Sequence, residues 1–150
     1  MPYSLKMISV VVLCLLVSCV LTSCEKKVKE GKIEITDTEF VLEQDKEKTS
    51  ISLNAKGKIK NTGQYDVKRI VVTGRCNTCS EKMLGGKWFV TQQEKREIQK
   101  DTINYLAAGA EETFSFNGIA YFFRSKPGEI PETYPEGLEV YVKSFETVQE

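Results

Sequence analysis

The chain has 150 residues, enough for one domain of ordinary size, and 21 basic residues balance 21 acidic residues. This balance argues against a nucleic-acid partner, because nucleic-acid-binding domains normally carry a marked basic excess. The sequence contains no histidine, so imidazole acid–base catalysis, His-paired nucleophiles and His-ligated zinc are excluded.

The N-terminal segment has the parts of a secretory signal, namely a basic start, an apolar run and then small residues. Lys6 is the only charged residue before Glu25, and residues 7–21 form the apolar run. The run ends in Leu21-Thr22-Ser23-Cys24, which resembles the lipobox of bacterial lipoproteins. The resemblance implies diacylglyceryl attachment to Cys24, cleavage before it, and acylation, as with palmitate, of the new amine.

Two alternatives stay open for this segment. Leu16-Val17-Ser18-Cys19 is a second lipobox-like site, although it lies inside the apolar run. An uncleaved transmembrane anchor is the other, although residues 7–24 fall slightly short of the ~20 residues that a spanning helix needs. Each alternative places the following domain on the extracytoplasmic side of the cell membrane or the outer membrane.

The sequence therefore divides into a signal peptide at residues 1–23, a lipidated N-terminus and tether at 24–31, and a domain at 32–150. The tether after Cys24 spans at most about 25 Å when extended, so we expect the domain close to the bilayer. Two or three acyl chains would anchor it stably, because each buried methylene contributes about 0.8 kcal/mol.

From residue 32 onward the apolar residues recur with a period of two, which predicts β-strands. The clearest strand covers residues 49–61. One strand is predicted before it, at 32–38 and extending over 40–42, and another after it at 67–76. Two of these strands have well-defined apolar faces, formed by Ile51, Leu53, Ala55, Gly57 and Ile59 and by Ile70, Val72, Gly74 and Cys76.

The later half adds a short strand at 88–90, a polar loop at 92–101, a long proline-containing loop at 124–137 and a last strand at 138–145. Residues 113–116 and 119–123 flank Asn117-Gly118, a strong β-hairpin signal. About seven short strands in about 115 residues predict an all-β fold, an immunoglobulin-like antiparallel β-sandwich.

Part of this pattern resembles small bacterial Ig-like modules of the FxLYD type. The residues that carry the resemblance are 55–63, which give a strand and turn, and the Val-rich segment 67–73. The linker 106–109 before the aromatic strand 113–116 is similar as well. The Leu-Tyr-Asp of that family is absent, and residues 71–74 stand in its place. The resemblance implies a role in binding and assembly.

The sharpest chemical motif is Cys76-Asn77-Thr78-Cys79. Thiols outside the cytoplasm tend to be oxidised, so we expect a disulfide that pins the end of a strand. Redox exchange is an alternative, but no βαβ pattern of a thioredoxin-like fold accompanies the motif. A third alternative is a Cu(I) site, because Cys76, Cys79 and Met83 offer soft sulfur ligands.

The loop at 124–137 is longer than most connections, and loops of this length are often functional. Arg124 and Tyr134 are its candidate binding residues. Lys56, Lys58 and Lys60 form a row that either solvates a sheet face or binds an anionic group. The dense aromatic residues at 114–123 are most simply explained as core.

The sequence thus predicts a non-enzymatic, lipid-anchored module of the cell envelope, with an envelope protein or glycan as its partner and no cofactor. The main alternative is a periplasmic copper-handling protein that uses Cys76, Cys79 and Met83. A thiol–disulfide enzyme is the third hypothesis.

Overall fold

A computed structural model describes residues 30–91 and 96–149. The predicted signal peptide at 1–23 and the lipidation site Cys24 lie outside the described residues. The described part contains seven strands and a short 3-10 helix at Glu97–Gln99. The strands are β1 (Ile33–Gln44), β2 (Ser50–Asn61), β3 (Val67–Cys76), β4 (Lys87–Phe89), β5 (Lys100–Leu106), β6 (Glu111–Phe123) and β7 (Leu138–Thr147).

The strands form two antiparallel sheets, one with the order β1-β2-β6-β4 and the other with the order β5-β3-β7. The predicted all-β sandwich is therefore confirmed. The four-stranded sheet places the first two strands side by side and a later long strand next to the second. In the three-stranded sheet the early strand β3 is central, flanked by β5 and β7.

The core lies between the inner faces of the two sheets. Leu53 and Ile59 of β2 are fully buried, as are Ile70 and Val72 of β3. Burying an aliphatic side chain of this size contributes about 1.5–3 kcal/mol relative to exposing it. These are residues of the two faces that the alternation predicts, so the pattern correctly identified β2 and β3, one central strand in each sheet.

The predicted hairpin at Asn117-Gly118 is wrong, because β6 passes through both residues without turning. The register between β2 and β6 shifts here, so the two residues form a bulge. Gly118 adopts φ +73°, and its N–H donates to Asn54 Oδ1 at 2.9 Å. Gln99 Nε2 donates to the Gly118 carbonyl at 2.7 Å. Two buried amide side chains thus replace the missing strand pairing.

The strand predicted over 32–38 and 40–42 is confirmed as β1, which has a bulge between Ile35 and Asp37. One other prediction needs correction. The polar loop predicted at 92–101 runs into β5, which begins at Lys100. The apolar alternation of β5 is weak because only Ile103 and Leu106 pack in the core, so the pattern gave no strand signal.

The connections between strands gather at the two ends of the sandwich. One end, here named the N-terminal pole, holds the start of β1, the end of β7 and the turns at 62–66 and 107–110. The other end, the loop pole, holds the turn at 45–49 and the connections at 77–86 and 124–137. The twelve residues of β1 separate the poles by about 40 Å.

Candidate binding surface at the loop pole

The loop at 124–137 begins with a turn closed by Glu129. The Glu129 carboxylate accepts hydrogen bonds from the Ser125 N–H at 2.6 Å and from the Ser125 hydroxyl at 2.7 Å. These hydrogen bonds, the hydroxyl first, lower the pKa of Glu129. Gly128 adopts φ +77° within this turn, a conformation that glycine reaches without a steric penalty.

The rest of the loop is tied to the neighbouring strands and connections. Trp88 Nε1 donates to the Thr133 carbonyl at 3.2 Å, and the Tyr134 hydroxyl donates to the Phe40 carbonyl at 3.4 Å. At the end of the loop, the Asn77 N–H donates to the Gly137 carbonyl at 3.0 Å. The loop is therefore held in one shape along its length.

Arg124 connects this loop to the β1–β2 turn. Its Nη1 donates to the Lys48 carbonyl at 2.7 Å. With the Gln44 amide turned so that its oxygen faces the guanidinium, that oxygen also accepts from Nη1 at 2.7 Å. The Nε atom of Arg124 is buried without a hydrogen-bond partner. Within the described ranges, no carboxylate forms an ion pair with Arg124.

A cleft of about 620 Å³ opens between this turn and the loop. Its lining includes three cationic side chains and one carboxylate: Lys48, Arg124, Lys126 and Glu47. Phe123 and Ile130 give it an apolar wall and are 38% and 67% exposed. Here this space is named the basic cleft. A concave surface that combines apolar walls with a few charged groups is typical of a binding site.

A second cleft of about 480 Å³ adjoins the basic cleft and shares Lys126 and Ile130 with it. Trp88, Phe122 and Pro131 contribute its apolar lining. The loop at 124–137 therefore borders two neighbouring depressions on the same end of the molecule.

The structure separates the two binding residues that the sequence predicts. Arg124 lines the basic cleft, whereas Tyr134 is 49% exposed and rests over β1. Sequence reasoning missed Lys48 and Ile130. Lys48 lies far from the loop in sequence, and no local pattern indicates that its turn faces Arg124 across 76 residues.

Cys76 and Cys79 form the predicted disulfide. Cys76 is buried at 8% exposure and closes the end of β3, whereas Met83 is 61% exposed. The Thr78 hydroxyl donates to the Glu136 carbonyl, so the disulfide-bonded turn also contacts the end of the long loop. A disulfide offers no thiolate, the form that binds Cu(I). The copper site stays a prediction for the reduced chain, testable by copper retention that Cys76→Ser abolishes.

The predicted lysine row lies on the outer face of β2. Lys56 pairs with Glu39 at 3.1 Å, and Lys58 pairs with Glu111 at 3.1 Å. Both pairs join neighbouring strands of the sheet. These ion pairs support the interpretation that the row is a solvated, charge-paired sheet face.

Within residues 30–91 and 96–149, no helix is long and apolar enough to cross a membrane. Comparison with known proteins found no matching family model, no matching curated protein and no matching solved structure. The lipobox and the resemblance to FxLYD modules stay predictions from the sequence.

Proposed function

We propose that this chain is a non-enzymatic lipoprotein, anchored by acyl chains on Cys24 at the extracytoplasmic face of the cell membrane or outer membrane. Its loop pole would bind a protein or glycan of the cell envelope. The placement of the long loop carries this proposal. The tether enters the domain at Gly31, whose N–H donates to Thr147 Oγ1 at 2.8 Å at the N-terminal pole. The shaped loop at 124–137 lies at the opposite end.

An anchor at the N-terminal pole would leave the loop pole directed away from the bilayer, where a partner has access. Loops held on a rigid scaffold are common binding surfaces. Immunoglobulin-like sandwiches present their binding loops at one end in this manner. The FxLYD resemblance, with its implied role in binding and assembly, supports the same proposal.

The pKa of Glu34 is lowered by its pairing with Lys32 at the start of β1, and two other carboxylates with lowered pKa values serve turns, which favours binding over catalysis. Hydrogen bonds from Thr49 and Ser50 lower the pKa of Asp45 to about 2. Hydrogen bonds from Tyr105 and from the Ala108 N–H lower the pKa of Asp66. Each of these two carboxylates is occupied by the turn that it closes, as a structural carboxylate is.

The anchor is tested by metabolic labelling with radioactive palmitate in cells that express the full chain. We expect label on the mature protein, lost in Cys24→Ser and retained in Cys19→Ser. If the label is retained in Cys24→Ser and lost in Cys19→Ser, lipidation and cleavage occur at Cys19 instead. An unlabelled protein that stays in the membrane would overturn the lipoprotein assignment.

The binding surface is tested by a photo-crosslinking amino acid placed at Ile130, at Tyr134 and, as a control, at Gln64 of the N-terminal pole. Ile130 and Tyr134 are exposed at 67% and 49%. We expect specific crosslinks in intact cells from the two loop positions and none from Gln64. Equal crosslinking from Gln64 and Ile130, or none from the loop, would contradict a binding role for the loop pole.

A further inference from the structure

We infer that the basic cleft binds an acidic peptide segment of a partner protein, one that carries apolar side chains among its carboxylates. Lys48 and Arg124 would contact the carboxylates, and Phe123 and Ile130 would contact the apolar side chains. The inference rests on the proposed function, since it names the chemistry that the loop pole recognises.

The charge of the cleft indicates an anionic partner. The whole chain is neutral, with 21 basic and 21 acidic residues, yet three cations and one carboxylate line this cleft. Glu129 lies next to Lys126 and is kept ionised in part by that positive charge, so Lys48 and Arg124 are the cations that remain for an anionic partner. A cleft with walls of low dielectric strengthens the attraction of its cations for a carboxylate.

Arg124 is the most informative cation. It is half-buried, and the acceptors that it meets are neutral, the Lys48 carbonyl and the Gln44 amide oxygen. A guanidinium taken partly out of water is normally paired with an anion. No ion pair involves Arg124 in the part of the chain that the structure describes. A carboxylate from outside the chain would complete its pairing.

The apolar wall distinguishes a peptide from a glycan. Ile130 is 67% exposed and lines both clefts. Its aliphatic side chain offers a sugar neither a hydrogen bond nor a flat ring to stack on. Leucine-like side chains of a peptide would bury it, along with Phe123, and each buried side chain would be removed from water favourably.

The two neighbouring clefts also fit an extended peptide. Alternate side chains of an extended chain lie about 7 Å apart on one face. A peptide laid across Ile130 is therefore expected to direct an acidic side chain toward Lys48 and Arg124. An apolar side chain further along would enter the second cleft beside Trp88.

Fluorescence anisotropy of the full chain, purified from membranes in detergent, tests this inference with a labelled eight-residue peptide that alternates Glu and Leu. We expect saturable binding that weakens with added salt, because exposed charges are screened. A Glu–Ser peptide should bind about tenfold more weakly, and a Lys–Leu peptide should not bind. Equal binding of the Lys–Leu peptide would overturn the inference.

Two variants of one turn provide the matched comparison. Lys48→Glu reverses a charge in the cleft and should weaken peptide binding by about tenfold or more, an effect typical of a central charged contact. Lys46→Glu makes the same change two residues away, outside the lining of this cleft, and should stay within about twofold. Thermal unfolding of both variants shows whether the turn is retained. Lys48→Asn removes the charge with a residue suited to φ +58° and should also weaken binding.

Equal effects of Lys46→Glu and Lys48→Glu would overturn the inference. So would binding of a sulfated polysaccharide with no binding of the Glu–Leu peptide, since the ligand class would then be an anionic glycan. Crosslinks from Ile130 in cells without peptide binding would refute this inference and leave the proposed function in place. Peptide binding that Lys48→Glu abolishes would support the cleft even if crosslinking failed and the proposed function fell.

Discussion

The N-terminal pole and the loop pole of the sandwich are closed by different means. At the N-terminal pole, short turns are tied to one another by buried polar groups. At the loop pole, one short turn and the two longer connections at 77–86 and 124–137 meet side by side and leave two clefts between them. Buried polar contacts therefore close the first end, whereas the second end presents concave surface.

Asn61 shows how the N-terminal pole is closed. This residue is fully buried, and its Nδ2 donates to the carbonyls of Tyr65 at 2.8 Å and Leu106 at 3.2 Å. Its Oδ1 accepts from the Gly63 N–H at 3.1 Å. One side chain therefore satisfies backbone groups of both turns at this end.

The loop pole depends instead on contacts between segments distant in sequence. Arg124 reaches the β1–β2 turn, Trp88 reaches Thr133, and the turn of Cys76 and Cys79 meets the end of the long loop. The buried polar contacts of Asn61 and the two clefts therefore lie at opposite ends of this domain. Changes at one end should leave the other largely intact.

The largest effect is expected for Asn61→Ala. The substitution removes the buried donor of two carbonyls, whereas the Gly63 N–H still donates to the Lys32 carbonyl at 3.2 Å. We expect the free energy of unfolding to fall by about 3 kcal/mol. Urea denaturation measures this loss. Gln64→Ala, on the exposed part of the same turn, should change stability by less than about 0.5 kcal/mol. Similar losses in both variants would contradict the role of the buried amide.

The next largest loss of stability is expected from removing the disulfide, and this loss should be confined to the loop pole. Replacing Cys76 and Cys79 together by Ser frees a small loop, for which chain entropy predicts a loss of about 2 kcal/mol. Hydrogen exchange should quicken at the Asn77 amide, which donates to the Gly137 carbonyl. The Thr62 amide, which donates to the Lys32 carbonyl at 2.8 Å at the N-terminal pole, is the control. Equal quickening at both amides would show that the poles are not independent.

Alanine substitutions at two glycines, one at each pole, give a finer comparison of the two ends. Gly109 and Gly137 have φ angles of +78° and +68°, so alanine at either position costs about 1 kcal/mol of backbone strain. A Cβ at Gly109 meets nothing within 4 Å, whereas one at Gly137 lies 3.2 Å from Thr78 Cγ2. Gly137→Ala should therefore destabilise by about 2 kcal/mol and Gly109→Ala by about 1 kcal/mol. Equal losses of unfolding free energy for the two variants in urea denaturation would mean that the turn at 76–79 shifts to make room for the added Cβ.

The smallest effect concerns Asp45 in the β1–β2 turn. Its carboxylate accepts from the Thr49 N–H and hydroxyl at 2.7 and 2.6 Å. The Thr49 hydroxyl is the main cause of the lowered pKa, which falls from 3.8 to about 2. A lowered folded-state pKa stabilises above the unfolded value and is lost as pH falls through the folded value. Asp45→Asn should therefore melt a few degrees below the parent at pH 7.

That difference should shrink between about pH 4 and pH 2, where the parent carboxylate becomes protonated. Thermal melts across this range measure it. Glu47→Gln, a charge removal in the same turn, is the control and should melt with the parent at pH 7. A gap for Asp45→Asn that stays constant down to pH 2 would show that the charge of the carboxylate contributes nothing to the turn.

The sequence predicted the strands whose alternate residues are buried without interruption. The faces of β2 and β3 were identified because Leu53, Ile59, Ile70 and Val72 each follow the period of two and reach the core. The disulfide was predicted because two cysteines three residues apart fit an oxidising compartment. Both inferences depend on neighbours in the chain.

Predictions failed where a distant residue decides the local structure. Asn117-Gly118 has the local signal of a hairpin, but the amides of Asn54 and Gln99 satisfy its backbone and keep β6 continuous. The loop at 124–137 was correctly placed between strands and singled out for its length. Its partner turn was not, because the contact between Arg124 and Lys48 spans 76 residues.

Neighbouring residues were enough to predict the all-β class, strands β2 and β3, the disulfide and the long loop. Tertiary contacts were needed to place the bulge in β6, Gly31 and the long loop at opposite poles, and Lys48, Arg124 and Ile130 around one cleft. Antiparallel pairing brings together residues that lie far apart in the chain. The charge and shape of a surface therefore emerge only after the sheets have packed.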